Sequence, residues 1–412
     1  MSSSSVEPPI QRAVAYIVSQ ELCKISSLLP SNRQRSYLVH ALINTFRLTS
    51  RVEGRLLKLV PPRPAALKEL GAYHTRDYID YVLDDGAVDE EDGDSSEFGL
   101  EDDCPRFRGL SSYVQLVAGA SLTAAQTLLK PSPLGGIHFD IALCWDGGRH
   151  HAQKSHAAGF CYVADCVLLL LALKRAPVTQ EGRKPRVMYL DLDLHFSDAV
   201  SQALHTPALH TGVIPQVLTL SIHHSAPGFF PLSSLSSLPD PSSSDFSPFS
   251  LSLPLKQGAS NSTFTRIWPS VERVRAAYKP DYIVIQCGVD GLAGDPCGVW
   301  NWSLGGEGGL GWCVNHALQW PGKKVLLGGG GYNSPNAARA WTYLTSIAMD
   351  DPLPLDSEIP DHKAFPLYAH SFTLDVPAGT MQDTNTESYL SQVEVRFGEV
   401  AALIEARDSL GT

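Results

Sequence analysis

The stretch RVMYLDLDLHFSD at 186–198 restricts this chain more than any other. It opens with Val187, Met188, Tyr189 and Leu190, which read as a buried strand, and continues with Asp191, Asp193 and His195 at alternate positions. In an extended chain residues two apart share a face. The two carboxylates and the imidazole therefore point one way while Leu192 and Leu194 point the other. Charged side chains are rarely buried unless they are paired or bound to a metal. Aspartate oxygen with imidazole nitrogen suits a divalent ion such as zinc, and a set without cysteine suits a catalytic rather than a structural site. The plainer alternative is an ordinary strand end, with Asp198 or an earlier acid capping the next helix.

Along the chain, apolar strands alternate with helices. Strands are expected at 13–19, 140–145, 186–190, 217–222, 281–287 and 323–327, and helices at 36–46, 74–83, 110–130, 163–174, 267–278, 312–320 and 337–349. This pattern implies an α/β fold with a central, mostly parallel multi-stranded sheet flanked by helices on both faces. Such sheets bind ligands just beyond the carboxyl ends of their strands. Two segments interrupt the pattern. The acidic run at 84–102 has too little apolar content to pack and reads as a surface loop. The Ser/Pro-rich run at 232–253 reads as a flexible surface insertion, in which Ser247 before Pro248 is a weak phosphorylation candidate.

With 412 residues and 43% hydrophobic content the chain can bury a large core, as one elaborate domain or as two. A net charge of −11 argues against direct binding of nucleic acid and favours a basic partner such as a lysine-rich tail. The eight cysteines include no CxxC pair, and several stand in apolar runs, so reduced core thiols are expected. The opening MSSSSVEPPIQ lacks a signal pattern, and no apolar run reaches membrane-spanning length. An intracellular protein without membrane contact is therefore expected, in the nucleus, the cytoplasm or both, since no clear basic localisation run stands in the chain.

Four strand ends carry unusual residues. DGGRHHAQ follows Trp145 with His150 and His151 adjacent; Asp191, Asp193, His195 and Asp198 follow Leu190; QCGVDGLAGDP, with Asp290, follows Ile285; GGGGYN, with Tyr332, follows Leu327. Singly, each has a plain reading as packing or a turn, and the glycine run lacks the lysine and Ser/Thr of a phosphate loop. The parallel-sheet rule places them on one rim. Asp193, His195 and Asp290 then offer three metal ligands with a position left open. His150 and His151, each with an aspartate to orient it, are candidates for base and acid. Tyr332, after glycines that let backbone approach closely, is placed to donate to an oxyanion. Together these groups describe amide hydrolysis.

Seven ordered motifs carry a resemblance to a known family: KISSLLPSN (24–32), GLEDDCP (99–105), GGRHHAQKSHAAGFCY (147–162), YLDLDLH (189–195), SIHHSAPGFFP (221–231), AGDP (293–296) and LGGGGYN (327–333). They are similar to those of the class I zinc-dependent histone deacetylases of the arginase/deacetylase superfamily. The N-terminal segment is most similar to the small stand-alone members. The resemblance implies one catalytic domain over 1–412 that removes acetyl groups from Nε-acetyl-lysine of histone tails or other proteins. It implies zinc, with ferrous iron as an alternative, on Asp193, His195 and Asp290. It implies a proton-transfer pair of His150 with Asp191 and His151 with Asp198, with His151 favoured as general base, and a carbonyl-polarising Tyr332. Phe160 and Phe230 would be parallel walls around the lysine, Gly159 would line the tunnel, and Asp103 would hold the substrate backbone. Arg35 would stand near an internal cavity. A structural potassium ion would use carbonyls of Asp191, Asp193, His195 and Ile222 with the Ser221 hydroxyl. Corepressor proteins are implied partners and hydroxamates implied inhibitors.

The chain departs from the family where Phe196, Ser197 and Ala199 replace a histidine and two glycines. Arg149, Cys297 and the 232–253 insertion also depart and are expected at the rim, where they would alter substrate preference or partner contacts. Two other functions compete with lysine deacetylation. One is deacylation of a small acetylated amine such as a polyamine. The other is a catalytically weak scaffold that binds acetyl-lysine or corepressors, against which the intact metal and proton-transfer residues argue.

Overall fold

Eight short, largely apolar runs assemble into one sheet whose inner strands bury both of their faces. In chain order the strands are β1 (Ala13–Ile17), β2 (Leu56–Val60), β3 (Ile141–Cys144), β4 (Val187–Asp191), β5 (Val217–His224), β6 (Ser250–Leu255), β7 (Tyr282–Gln286) and β8 (Lys323–Leu327). They lie side by side in the order β2-β1-β3-β8-β7-β4-β5-β6, and every pairing is parallel. The computed structural model describes residues 12–50, 56–85, 94–130, 137–206 and 214–410. No helix among them is long and apolar enough to cross a membrane.

Strand parity divides the core in two. On β4, Met188 and Leu190 enter one apolar cluster and Val187 and Tyr189 the other; β7 and β8 divide in the same way. The helices Arg35–Thr45, Asn261–Tyr278, Leu310–Gln319 and Ser334–Ala348 contribute to the first cluster, and Leu110–Leu129 and Asp165–Leu173 to the second. A fully buried Leu or Phe side chain contributes about 1.5–3 kcal/mol, so neither face can be uncovered cheaply. All eight cysteines are unpaired, six of them buried.

The elements expected from periodicity are present within a few residues at most of their ends. The helix expected at 267–278 is longer, Asn261–Tyr278, because its first turns carry polar Asn261, Ser262 and Thr265 on the outer face. Strand β2, the helix Gln20–Ser26 and the C-terminal helix Glu387–Leu410 went unrecognised. The last packs along Asn261–Tyr278 and is tied down by ion pairs from Arg266 to Glu394 (2.8 Å) and Arg186 to Asp408 (2.5 Å).

The expectation of a flexible insertion at 232–253 needs correction. Leu232 is 81% exposed, but Ser250 begins β6, and Phe249, Leu251 and Leu253 are buried. The Ser252 hydroxyl donates to the Leu235 carbonyl at 2.6 Å, stitching the earlier loop to the strand. Alternate serines interrupt the apolar run of SLSLPL, and Pro254 has no N–H to give to a ladder. Proline is nevertheless tolerated at a sheet edge, and β6 is the edge. Ser247 is 2% exposed and its oxygen accepts from the Phe249 N–H, so a kinase could not reach it in this fold. Of the acidic run at 84–102, residues 86–93 lie outside the described residues. The remainder holds a single turn, Asp94–Glu97, and a buried Leu100.

Replacing Leu251 by alanine tests this packing. The expected loss is about 2–5 kcal/mol of unfolding free energy in a denaturant titration. A change below about 0.5 kcal/mol, as for an exposed position, would show that 250–253 is not part of the core.

Candidate metal centre and active site

The four strands whose ends carry the unusual residues, β3, β8, β7 and β4, are consecutive neighbours in the middle of the sheet. Their carboxyl-terminal loops therefore meet. Asp191 ends β4, and the alternation continues beyond it: Leu192 and Leu194 join one core cluster, leaving Asp191, Asp193 and His195 on the opposite side.

Asp193, His195 and Asp290 each offer one ligand atom, and these atoms lie within 4.8 Å of one another. His195 Nδ1 is 2.9 Å from Asp290 Oδ2 and 3.4 Å from Asp193 Oδ1. Both carboxylates are fully buried. Asp193 accepts from the Gln286 amide (2.9 Å) and the Gly330 N–H (2.7 Å), and Asp290 accepts from the Leu194 N–H (2.9 Å). Burial and the Asp193 charge push the Asp290 carboxyl up to about 7. Burial disfavours a charged imidazole at His195, yet hydrogen bonds to Asp193 and Asp290 raise it to about 10. No lysine or arginine pairs with either acid among the described residues. One imidazole cannot balance two buried carboxylates, whereas a divalent cation can, and oxygen–nitrogen–oxygen donors suit a catalytic ion.

Two histidine–aspartate pairs stand beside the ligands. His150 Nδ1 meets Asp191 Oδ2 at 2.8 Å, and that oxygen also accepts from the Tyr189 hydroxyl at 2.6 Å. His151 Nδ1 meets Asp198 Oδ1 at 2.7 Å, while Gln153 donates to Asp198 Oδ2 at 2.8 Å. Asp198 starts the helix Asp198–Leu204, but its carboxylate serves His151, so the capping alternative fails. The imidazole rings lie 4.0 Å apart, yet they titrate in opposite directions. Burial opposes protonation of His150, but Asp191 and Asp193 outweigh it and raise the group to about 9. Burial and the His150 charge hold His151 down, at about 4.

Tyr332 is positioned through its backbone: Asp295 Oδ2 accepts from the N–H groups of Tyr332 (2.7 Å) and Asn333 (3.0 Å). Burial, then the charges of Asp290 and Asp193, push its phenol well above the usual range, so it stays a donor. At the mouth, Phe160 packs edge-on to Tyr332 at 5.4 Å, Phe230 packs edge-on to His151 at 4.9 Å, and Phe230 is 43% exposed. Gly159 has φ +55, and a Cβ there would lie 2.5 Å from the His151 ring and 2.9 Å from Phe230. Asp103 Oδ2 accepts from the Gly159 N–H at 2.7 Å, so it shapes the mouth from within the protein. Asp191 pairs in register with Ser221, next to Ile222 on β5; the Ser221 hydroxyl is 3.2 Å from His223 Nδ1.

The departures fall differently from expectation. Arg149 is not at the rim: it is 5% exposed. Its long side chain turns inward because the loop backbone is held by Asp165, which accepts from the Gly148 (2.9 Å) and Arg149 (2.7 Å) N–H groups. Cys297 is partly buried. Phe196 is buried with its ring 4.8 Å from His223. Arg35 is 3% exposed and donates to the carbonyls of Gly329 (3.0 Å) and Gly331 (2.9 Å).

Several positioning residues went unrecognised. Gln286, Asp295 and Gln153 stood inside quoted motifs without being assigned a role, Asp165 lay outside them, and Phe229, which stacks on His195 at 5.1 Å, stood beside a residue already singled out. Gly288 and Gly330 were more legible. A Cβ at Gly288 would lie 2.1 Å from Asp193 Oδ2, and one at Gly330 2.2 Å from Asp290 Oδ2.

The family model of the Histone deacetylase domain matches residues 29–348. Histone deacetylase 8 of Danio rerio is 34% identical over 396 residues, covering 95% of this chain and 96% of the relative. Histone deacetylase 9 of Arabidopsis thaliana is 32% identical over 384 residues, 92% of this chain and 83% of the relative. Histone deacetylase 1 of Homo sapiens is 31% identical over 373 residues, 90% and 70% respectively. A site of this geometry, on a chain matched by that domain along most of its length, places the protein in the histone deacetylase family, class I, of the arginase/deacetylase superfamily.

Proposed function

We propose that the protein is a zinc-dependent lysine deacetylase that hydrolyses the amide of Nε-acetyl-lysine in histone tails or other proteins. The convergence of Asp193, His195 and Asp290 beside two oppositely titrating histidine–aspartate pairs carries this reading. A zinc or ferrous ion on those three residues would supply Lewis-acid polarisation of the amide carbonyl and acidify water, to a pKa of roughly 7.

The chain's own residues divide the remaining work. His151 Nε2, neutral at physiological pH, takes a proton from the attacking water while its Nδ1–H donates to Asp198. Tyr332 donates its hydroxyl hydrogen to the developing oxyanion. His150, held protonated by Asp191 and Asp193, delivers a proton to the leaving ε-nitrogen. Phe160 and Phe230 enclose the lysine methylenes and exclude water, with Gly159 leaving room between them and Asp103 holding the mouth and the substrate backbone. A potassium ion under the centre would take carbonyls of Asp191, Asp193, His195 and Ile222 with the Ser221 hydroxyl. The net charge of −11 favours basic tails as substrates and disfavours direct nucleic-acid contact. We assign the protein to the nucleus, the cytoplasm or both, with corepressor proteins as partners.

Tyr332→Phe is expected to lower kcat by about 100- to 1000-fold while an acetyl-lysine peptide still binds, measured by steady-state kinetics and fluorescence anisotropy. Full activity in that variant would remove the oxyanion role. Deacetylation should vanish on treatment with a chelator, return with zinc, and be lost again in saturating hydroxamate, because all three act on the ion. Turnover that persists in both chelator and hydroxamate would refute the metal mechanism.

A further inference from the structure

The imidazole of His195 is anchored through one nitrogen. Its Nδ1 faces Asp290 at 2.9 Å and Asp193 at 3.4 Å, whereas no hydrogen bond reaches its Nε2 among the described residues. A histidine that binds a metal ordinarily gives its second ring N–H to a carboxylate or a carbonyl, which fixes the plane of the ring. Here the plane has to be fixed by other means. The ring is 14% exposed and has three aromatic neighbours. His151 and Phe230 meet it at steep angles, 81° at 6.0 Å and 59° at 6.3 Å. Phe229 lies flat against it, with the centroids 5.1 Å apart and the planes inclined by 10°.

Local sequence brings Phe229 to this position. Ala226, Pro227, Gly228 and Phe229 close a turn in which the Phe229 N–H donates to the Ala226 carbonyl at 3.1 Å. Proline at the second position and glycine at the third, with φ +78, are the residues a type II turn requires. The turn carries Phe229 back to the end of β5, where its ring meets a second imidazole, that of His224, at 4.6 Å and 86°. His224 is buried, while residues 225–228 are exposed, so the loop hangs from it. It is fixed twice. Its backbone N–H donates to the carbonyl of Leu194, the neighbour of His195, at 2.8 Å, and its Nδ1–H donates to the Leu255 carbonyl at 3.1 Å. A carbonyl only accepts, so Nδ1 carries the hydrogen. Leu255 is the register partner of His224 and ends β6. The next residue is also tied down: the Lys256 N–H donates to Asn385 Oδ1 at 2.8 Å, and Asn385 Nδ2 donates back to the Lys256 carbonyl at 3.2 Å.

We propose that His224 and Phe229 are positioning residues for the metal ligand His195: His224, braced against the edge strand β6, holds Phe229 flat on the imidazole, and the stack takes the role that a hydrogen bond at Nε2 ordinarily plays. The inference rests on the metal reading above and adds a route by which the sheet edge, built from the serine-rich segment, sets metal affinity. The two restraints on His195 are complementary. Its contacts to Asp193 and Asp290 fix rotation within the ring plane, and the flat contact opposes tilting out of it. Stacked and edge-to-face rings are both favoured at centroid separations of roughly 4.5–7 Å, so His224 and His195 each hold Phe229 in an arrangement of low energy. Leucine at 229 would fill the space but offer no plane to align with.

The test measures zinc affinity of the full chain by competition with a fluorescent chelator, alongside thermal unfolding of the zinc-free protein. Phe229→Leu is expected to weaken zinc binding by about 10- to 100-fold, the range for groups that orient a metal-bound histidine, while the zinc-free protein unfolds close to the native temperature. Phe229→Tyr, which keeps the flat ring, should retain near-native affinity. His224→Ala should weaken binding by about 2- to 10-fold, the equivalent of one aromatic pair, and it decides the matter if the leucine variant does not fold. Unchanged affinity in Phe229→Leu or in His224→Ala overturns the role of that residue. Equal losses in Phe229→Leu and Phe229→Tyr also overturn the stacking role. A native protein that binds no zinc overturns the metal reading and this inference with it, whereas native zinc binding that the variants leave unchanged overturns the inference alone.

Discussion

Two carboxylates, Asp193 and Asp290, are buried side by side at the middle of the sheet, and the rest of the site is arranged around that electrostatic demand. An ion taken out of water costs roughly several kcal/mol even after relaxation, and two like charges cannot share that cost. The protein supplies N–H donors from Leu194 and Gly330, the Gln286 amide and the His195 imidazole. These orient the oxygens without neutralising both charges. A divalent cation held by Asp193, His195 and Asp290 would complete the balance.

The demand extends to the proton-transfer pair. Asp191 and Asp193 lie close to His150 and keep it charged, and that charge, with burial, keeps its neighbour His151 neutral. The environment thus separates the titrations of two identical side chains adjacent in sequence, which suits them to the acid and base roles proposed above. The same field acts on Tyr332, where the surrounding carboxylates oppose loss of the phenolic proton. The proposed metal ligands, base, acid and oxyanion donor are therefore not four independent features. Asp193 and Asp290, or their partners, act on all of them.

The sheet makes such crowding possible. Because β3, β8, β7 and β4 are adjacent and parallel, four loops with unusual sequences leave the sheet at the same edge. Close approach is then limited by side-chain volume, and glycine meets that limit at Gly288 and Gly330. The outer parts of the fold follow other rules. Strand β6 sits at the sheet edge, where proline and serine are tolerated, and the helix Glu387–Leu410 is held by ion pairs with residues distant in sequence.

The sequence by itself determined which residues could meet. Alternation after Leu190 put Asp191, Asp193 and His195 on one face, and alternating strands and helices required a parallel sheet with a single functional edge. Those inferences depend on local periodicity, which the backbone geometry enforces. Only the tertiary structure decided which neighbours each side chain acquired. It brought Gln286 and Asp295 to the ligands and the tyrosine, ordered a serine-rich segment as an edge strand, and turned Arg149 inward rather than to the rim. Local patterns specify the face on which a residue lies. What that face packs against, and therefore whether a charge is solvated or paired, depends on chain segments far along the sequence, 93 residues for Gln286 with Asp193 and 37 for Asp295 with Tyr332.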